Sequence, residues 1–230
     1  MPPVTVRSFL EAALTLLLPI ECAVCQAADT RLCARCQAQL LRECFAHEDM
    51  IRAVEVPFPV VAAAPYAGVT RDCLLQLKEL GRTDVRTQLA ELLERAVTRV
   101  RSDHPNETLW CVPMPSTRKN EAKRGYNHLE LVMRSLPSRP EPQHWLRAAA
   151  SRVDQVGLTA SERVHNALNT ITVKPRMRAQ GAVAGKSVLL IDDIATTGSS
   201  LRAAAAALEN AGAHVVAAAV IAHTPKLTEG

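Results

Sequence analysis

Apolar positions along the chain fall into two patterns. Val85, Leu89, Leu92, Leu93, Ala96, Val97 and Val100 recur at 3.6-residue spacing and predict an amphipathic helix, with Thr83 or Asp84 in place to cap it. Leu129, Val132, Met133 and Leu136 predict a shorter helix, and Phe9, Ala13, Leu16 and Leu17 another that Pro19 stops. Between them lie short unbroken apolar runs, each of strand length: Val60–Ala64 among Pro57, Pro59 and Pro65, Leu109–Val112 before Pro113, Val188–Ile191, and Val215–Ile221. A helix over Leu201–Ala211, stopped by Gly212, joins the last two. Strands alternating with helices predict an α/β fold with a parallel sheet flanked by helices. No internal repeat is present.

The run Ala12–Leu18 has only Arg7 before it, is preceded by Glu11 and is too short to span a bilayer. No export signal and no membrane span are therefore expected, the expected location is cytoplasmic, and cysteines there serve as thiols or metal ligands.

Composition adds exclusions. A hydrophobic fraction of 48% with 22% charge is that of a globular chain and excludes wholesale disorder. Aromatic residues make up only 3%, which leaves little for stacking nucleic-acid bases. The net charge of +4 is matched by one window, residues 111–150, with 7 basic and 3 acidic groups, among them Arg118, Lys119, Lys123 and Arg124.

Of seven cysteines, Cys22-x-x-Cys25 and Cys33-x-x-Cys36 form two knuckles. Two such pairs complete a tetrahedral sulfur site for which Zn²⁺ is favoured, and four thiolates leave no open position for catalysis. The first 55 residues are thus expected to be a small four-cysteine metal-binding module with its preceding helix, and residues 56–230 the α/β domain. Cys44, Cys73 and Cys111 lack the spacing and are expected to be packing residues.

The richest run is Val188–Ser200. An apolar strand delivers Asp192 and Asp193 at its carboxyl end, where ligands bind in parallel sheets. Ala195, Thr196, Thr197, Gly198 and Ser199 follow as a hydroxyl-rich loop opening a helix, a cradle for a phosphate dianion. Gly198 allows close backbone approach. Two carboxylates beside a phosphate suit ribose hydroxyls, or a Mg²⁺ shared with the ligand. Gly181–Ser187 is one residue short of a P-loop and precedes a strand instead of following one, so it is excluded as a rival.

This loop resembles the signature of type I phosphoribosyltransferases, and further blocks resemble the ComF-like family, which includes the GntX-like proteins. These are the paired CxxC knuckles; Tyr66-x-Gly68-x-x-Arg71 with Leu77-Lys78 and Gly81; Val112-Pro113-Met114-Pro115 with Arg124-Gly125-Tyr126-Asn127; and Gln155-x-x-Leu158 with Arg163 and Asn166. The resemblance implies a type I phosphoribosyltransferase-like domain behind an N-terminal zinc module. It implies that Asp192 and Asp193 hold ribose hydroxyls and that Ala195–Ser199 hold the 5′-phosphate. Pro113, Met114, Pro115 and Ser116 would form a pyrophosphate loop, with Lys78, Arg118, Lys119, Lys123 and Arg124 supplying positive charge and Mg²⁺ entering with the pyrophosphate. His128 departs from the Gln and Ser200 from the Thr that the family often has. Pro2 follows Met1 where a Cys would signal glutamine hydrolysis, so no ammonia chemistry is implied.

Three function classes stay open. The first is transfer of a phosphoribosyl group to a nitrogen nucleophile, with His128 and His165 as candidate bases by residue type alone. The second is non-catalytic binding of phosphoribosyl pyrophosphate in DNA uptake during natural transformation. The third is binding of single-stranded DNA by the zinc module. DNA-uptake proteins as partners and a homodimer are expectations by analogy.

Overall fold

The structure, a computed structural model, describes residues 20–52, 54–116, 121–122, 124–148 and 171–224. The expected N-terminal helix, Arg118, Lys119, Lys123, the Gln155–Asn166 block and His165 lie outside these residues.

In chain order the elements are α1 (Ala34–Arg42), β1 (Ile51–Arg52), β2 (Val60–Pro65), α2 (Gly68–Glu79), α3 (Arg86–Asp103), β3 (Leu109–Pro113), α4 (His128–Met133), β4 (Leu146–Ala148), β5 (Ile171–Val173), α5 (Pro175–Ala179), β6 (Ser187–Ala195), α6 (Ser199–Glu209) and β7 (His214–His223). The main sheet has the order β1-β2-β7-β6-β3. Its last four strands run parallel, with β1 as an antiparallel edge. β4 and β5 pair separately. The connections β2-α2-α3-β3 and β6-α6-β7 run in opposite directions across the sheet. Right-handed crossovers therefore place their helices on opposite faces. Both faces are covered, so Val60–Ala64 and Val188–Ile191 are buried without alternation. Each fully buried Val, Leu or Ile contributes roughly 1.5–3 kcal/mol.

Two expectations are corrected. β6 continues past Ile191 to Ala195, with Asp192 and Ile194 paired to Val220 and Ala222 of β7, so the carboxylates lie within the strand. Neither Thr83 nor Asp84 caps α3. These residues form a 3-10 turn, and the Asp84 carboxylate receives two bonds from Arg82 at 2.9 and 2.8 Å.

The cysteine segment joins the same buried cluster as the sheet through Cys22, Ala23, Leu32, Cys36 and Leu40. Its strongest tether is Glu43, which follows α1. α2 has no side-chain cap of its own. The Glu43 carboxylate takes that place, accepting from the N–H groups of Val69 (3.0 Å) and Thr70 (2.9 Å) and from Thr70 Oγ1 (3.0 Å). Gly68 stands at φ +50°, and a Cβ there would overlap Glu43 Oε1. A carboxylate at a helix N-terminus is favoured by the helix dipole as well as by its hydrogen bonds. Arg82 to Glu21 O, Arg95 to Phe45 O and Arg99 to His47 O add further ties.

Burial acts to raise the pKa of Glu43, but the bonds from Val69 and Thr70 outweigh it and hold the group below its ordinary value. Its stabilisation is therefore complete above about pH 4.5 and is lost as pH falls through the depressed value. Glu43→Ala is expected to cost about 2 kcal/mol at pH 7 by urea unfolding, Glu43→Gln about half of that, and the difference from wild type should shrink toward pH 3.

Candidate ligand site and metal centre

Side chains alternate along a strand, so Asp192 and Asp193 point to opposite faces of β6. Asp192 lines a shallow cleft with Ala195, Thr196, Gly198 and Ser199. Four of these are among the five loop positions singled out in the sequence; the fifth, Thr197, uses its hydroxyl to bond Ser199 Oγ at 3.2 Å and to accept from Ser199 N–H. The first turn of α6 opens from the same loop, and a helix N-terminus is suited to a phosphate.

Asp193 is turned the other way and is buried. Its Oδ2 accepts from Lys78 Nζ of α2 at 2.8 Å and from His128 Nε2 of α4. His128 Nδ1 meets Arg124 Nη1 at 2.7 Å. Lys78, Arg124 and Asp193, distant in sequence, thus form one cluster, and His128 is the member that joins them. The sequence offered it as a candidate base by residue type and as a departure from the family's Gln. The signal available was its place one turn after Arg124.

Pro113 pairs with Ile191 across β3 and β6, and Met114 N–H donates to Ile191 O at 2.8 Å. Pro113, Met114, Pro115 and Ser116 therefore leave the sheet one strand away from Asp192.

The two carboxylates have opposite electrostatics. Burial, reinforced by the charge of Asp193, pushes Asp192 up to about 8. Burial acts in the same direction on Asp193, but the His128 hydrogen bond and the Lys78 charge outweigh it and hold it at about 2. The surroundings thus favour the neutral acid at Asp192 and the anion at Asp193.

Gly198 has a role beyond ligand approach. It stands at φ +78°, and a Cβ would overlap Val54 Cγ1 and lie 2.9 Å from Val56 Cγ1. The segment at residues 54–56 thus packs on the loop, and Arg202 of α6 holds it through Glu55.

The four expected metal ligands do come together. The Sγ atoms of Cys22, Cys25, Cys33 and Cys36 lie within 4.8 Å of one another. Tetrahedral Zn–S bonds of about 2.3 Å require S···S separations of about 3.8 Å, so small adjustments suffice, and the cluster is compatible with structural zinc. Knuckle N–H groups support the sulfurs: Cys33 N–H donates to Cys22 Sγ and Cys36 N–H to Cys33 Sγ. Burial opposes ionisation of Cys22, but N–H groups of Cys25, Cys33 and Val24 draw it down to about 6. Cys44 donates to Leu40 O, and Cys73 and Cys111 are buried, so these three are packing thiols.

The family model of the phosphoribosyl transferase domain matches residues 122–229. The match includes Arg124, His128 and the whole run Asp192–Ser199, and excludes Lys78, Pro113–Ser116 and the cysteines. No curated protein matches the chain significantly. No helix among the described residues is long and apolar enough to cross a membrane.

Two outcomes are expected. The folded value of Asp192 lies above its ordinary 3.8, so its contribution to stability is greatest below that pH and is lost as pH rises toward 8. Asp192→Asn removes the loss: the variant should match wild type in melting temperature near pH 4 and exceed it by about 4 °C at pH 8 in scanning calorimetry. Purified protein should carry one zinc per chain by atomic emission, and Cys22→Ser with Cys25→Ser should lose it together with several degrees of stability.

Proposed function

We propose that the chain binds phosphoribosyl pyrophosphate, or a closely related ribose phosphate, across the carboxyl end of β6. The observation that carries this reading is the meeting of three features at one strand end: the hydroxyl-rich loop at the α6 N-terminus, the acidic pair, and the Lys78–Arg124 cations. In this reading the Ala195–Ser199 loop takes the 5′-phosphate. Asp192 takes the ribose hydroxyls from the cleft side, while Asp193 anchors Lys78 and, through His128, Arg124, which with Pro113–Ser116 face the pyrophosphate. The donor set beside the loop is oxygen-only, which suits a hard cation such as Mg²⁺ arriving with the pyrophosphate and neutralising its charge. The domain match supports the ligand class, and the block resemblance to ComF-like proteins supports a link to DNA uptake in natural transformation.

Two readings of the chemistry follow. In a phosphoribosyltransferase, a nitrogen nucleophile would attack ribose C1 as pyrophosphate leaves, with the basic groups stabilising the departing charge. In a ligand-binding protein on the same fold, no transfer occurs. The second is favoured by one observation: both ring nitrogens of His128, the described histidine nearest the acidic pair, are engaged by Arg124 and Asp193.

Isothermal titration of phosphoribosyl pyrophosphate with and without Mg²⁺ tests the ligand. Asp192→Asn with Asp193→Asn should weaken binding by about 100-fold, as the Asp192 contact and the Asp193 anchor of Lys78 are lost together. Unchanged affinity would remove the assignment. Release of pyrophosphate with a panel of nucleobases separates transferase from binder.

A further inference from the structure

We infer that His128 is a positioning residue of this site: a neutral imidazole, protonated on Nε2, that ties the Arg124 guanidinium to the Asp193 carboxylate and takes no proton itself. The ligand it serves rests on the reading above. Its protonation state rests on geometry alone.

A guanidinium carries five N–H donors and no lone pair. At 2.7 Å from Arg124 Nη1, His128 Nδ1 must therefore be the acceptor. The single imidazole proton then sits on Nε2 and donates to Asp193 Oδ2, an oxygen that can only accept. One tautomer satisfies both contacts, and the other satisfies neither. The histidine side chain is 12% exposed and that of Asp193 10%, so water is a poor substitute for either partner.

The surroundings hold this arrangement from several directions. Lys78 shares Asp193 Oδ2. Gly125, at φ +78°, turns the chain between Arg124 and His128. The Tyr126 hydroxyl donates to Leu77 O, the residue next to Lys78. Asn127 caps α4 by accepting from Glu130 N–H, and its amide donates to Glu121.

A base must have a lone pair to offer. Protonation of Nδ1 would set two donors face to face and expel Arg124, so this histidine is unsuited to deprotonating an incoming nucleophile. What it supplies is order. An arginine side chain loses rotamer freedom when fixed, and one fixed before the ligand arrives does not lose it on binding.

The chemistry of the contact names its own mimic. A glutamine side chain also presents one donor and one acceptor, so His128→Gln should keep both bonds. His128→Leu fills the space and keeps neither.

The first test is nitrogen-15 NMR of histidine-labelled protein at neutral pH, with the His128 signals assigned by their loss in His128→Gln. A bare Nδ1 and a protonated Nε2 are expected, and Arg124→Leu should release the preference. A proton on Nδ1 overturns the inference. The second is titration of Mg²⁺ with phosphoribosyl pyrophosphate, with folding of each variant checked by circular dichroism. Affinity should fall about tenfold or more in His128→Leu and stay within about threefold of wild type in His128→Gln. A glutamine variant that folds and binds as poorly as the leucine variant overturns the positioning role. Wild-type protein that fails to bind overturns the ligand reading, and the tautomer experiment still decides the state of His128.

Discussion

A strand covered on both faces carries adjacent side chains to opposite sides, and the arrangement of this site follows from that. Because β6 stays paired to β7 through Ala195, Asp192 and Asp193 leave the sheet on different faces. One comes to rest beside the start of α6, in a cleft it shares with Thr196, Gly198 and Ser199 and with the apolar Ile194, Ala195 and Leu201. The other meets α2 and α4 and finds an ammonium and an imidazole. Two carboxylates with the same covalent chemistry are thereby pushed in opposite directions, one toward the neutral acid and the other toward the anion. Had the strand ended at Ile191, both would sit on a loop and the division would be lost.

The Lys78 cation on Asp193 depends in turn on the cysteine segment. Lys78 is in the last turn of α2, and α2 begins with Gly68, a residue that cannot cap its own helix with a side chain. Glu43 closes that helix start from the end of α1, the helix that Cys33 itself caps with its sulfur. The connection from the four thiolates to the ligand site is thus one of rigid elements in series: knuckle, α1, Glu43, α2, Lys78, Asp193. The four-cysteine cluster, compatible with structural zinc, thus stands in the same buried cluster as the sheet that carries the acidic pair.

Much of the fold was legible in the sequence because the sheet is covered on both faces. Val60–Pro65 and His214–His223 hold runs of alanine that favour helix by propensity alone, yet prolines and valines at their edges mark them as strands. The CxxC pairs and the run from Asp192 to Ser199 were legible because their ligands are close in sequence. α1 and α2 were not. The buried face of α2 is Val69, Thr70, Cys73, Leu74 and Leu77, where Thr and Cys break the apolar period, and its cap lies 26 residues upstream. Asp84 has the chemistry of a cap, but Arg82 takes both of its oxygens. The β4–β5 pair is too short to carry a period. The Lys78–Asp193–His128–Arg124 cluster was hidden for a different reason: its members come from three elements and a turn, and only the fold makes them neighbours.

Gly198 shows how one residue type can answer two demands. The left-handed turn that opens α6 needs a residue without a Cβ, and so does the ligand that a phosphate loop would approach. The structure adds a third party, for Val54 and Val56 already occupy the space a Cβ would take. The same segment is held by Arg202 from α6 itself, so loop, helix start and overlying chain form one packed unit. Any ligand at the cleft therefore meets a loop whose shape is supported from behind by residues that precede the sheet. The residues before β2 thus bear on the ligand site twice, through Glu43 on the Asp193 face and through Val54 and Val56 on the Asp192 face.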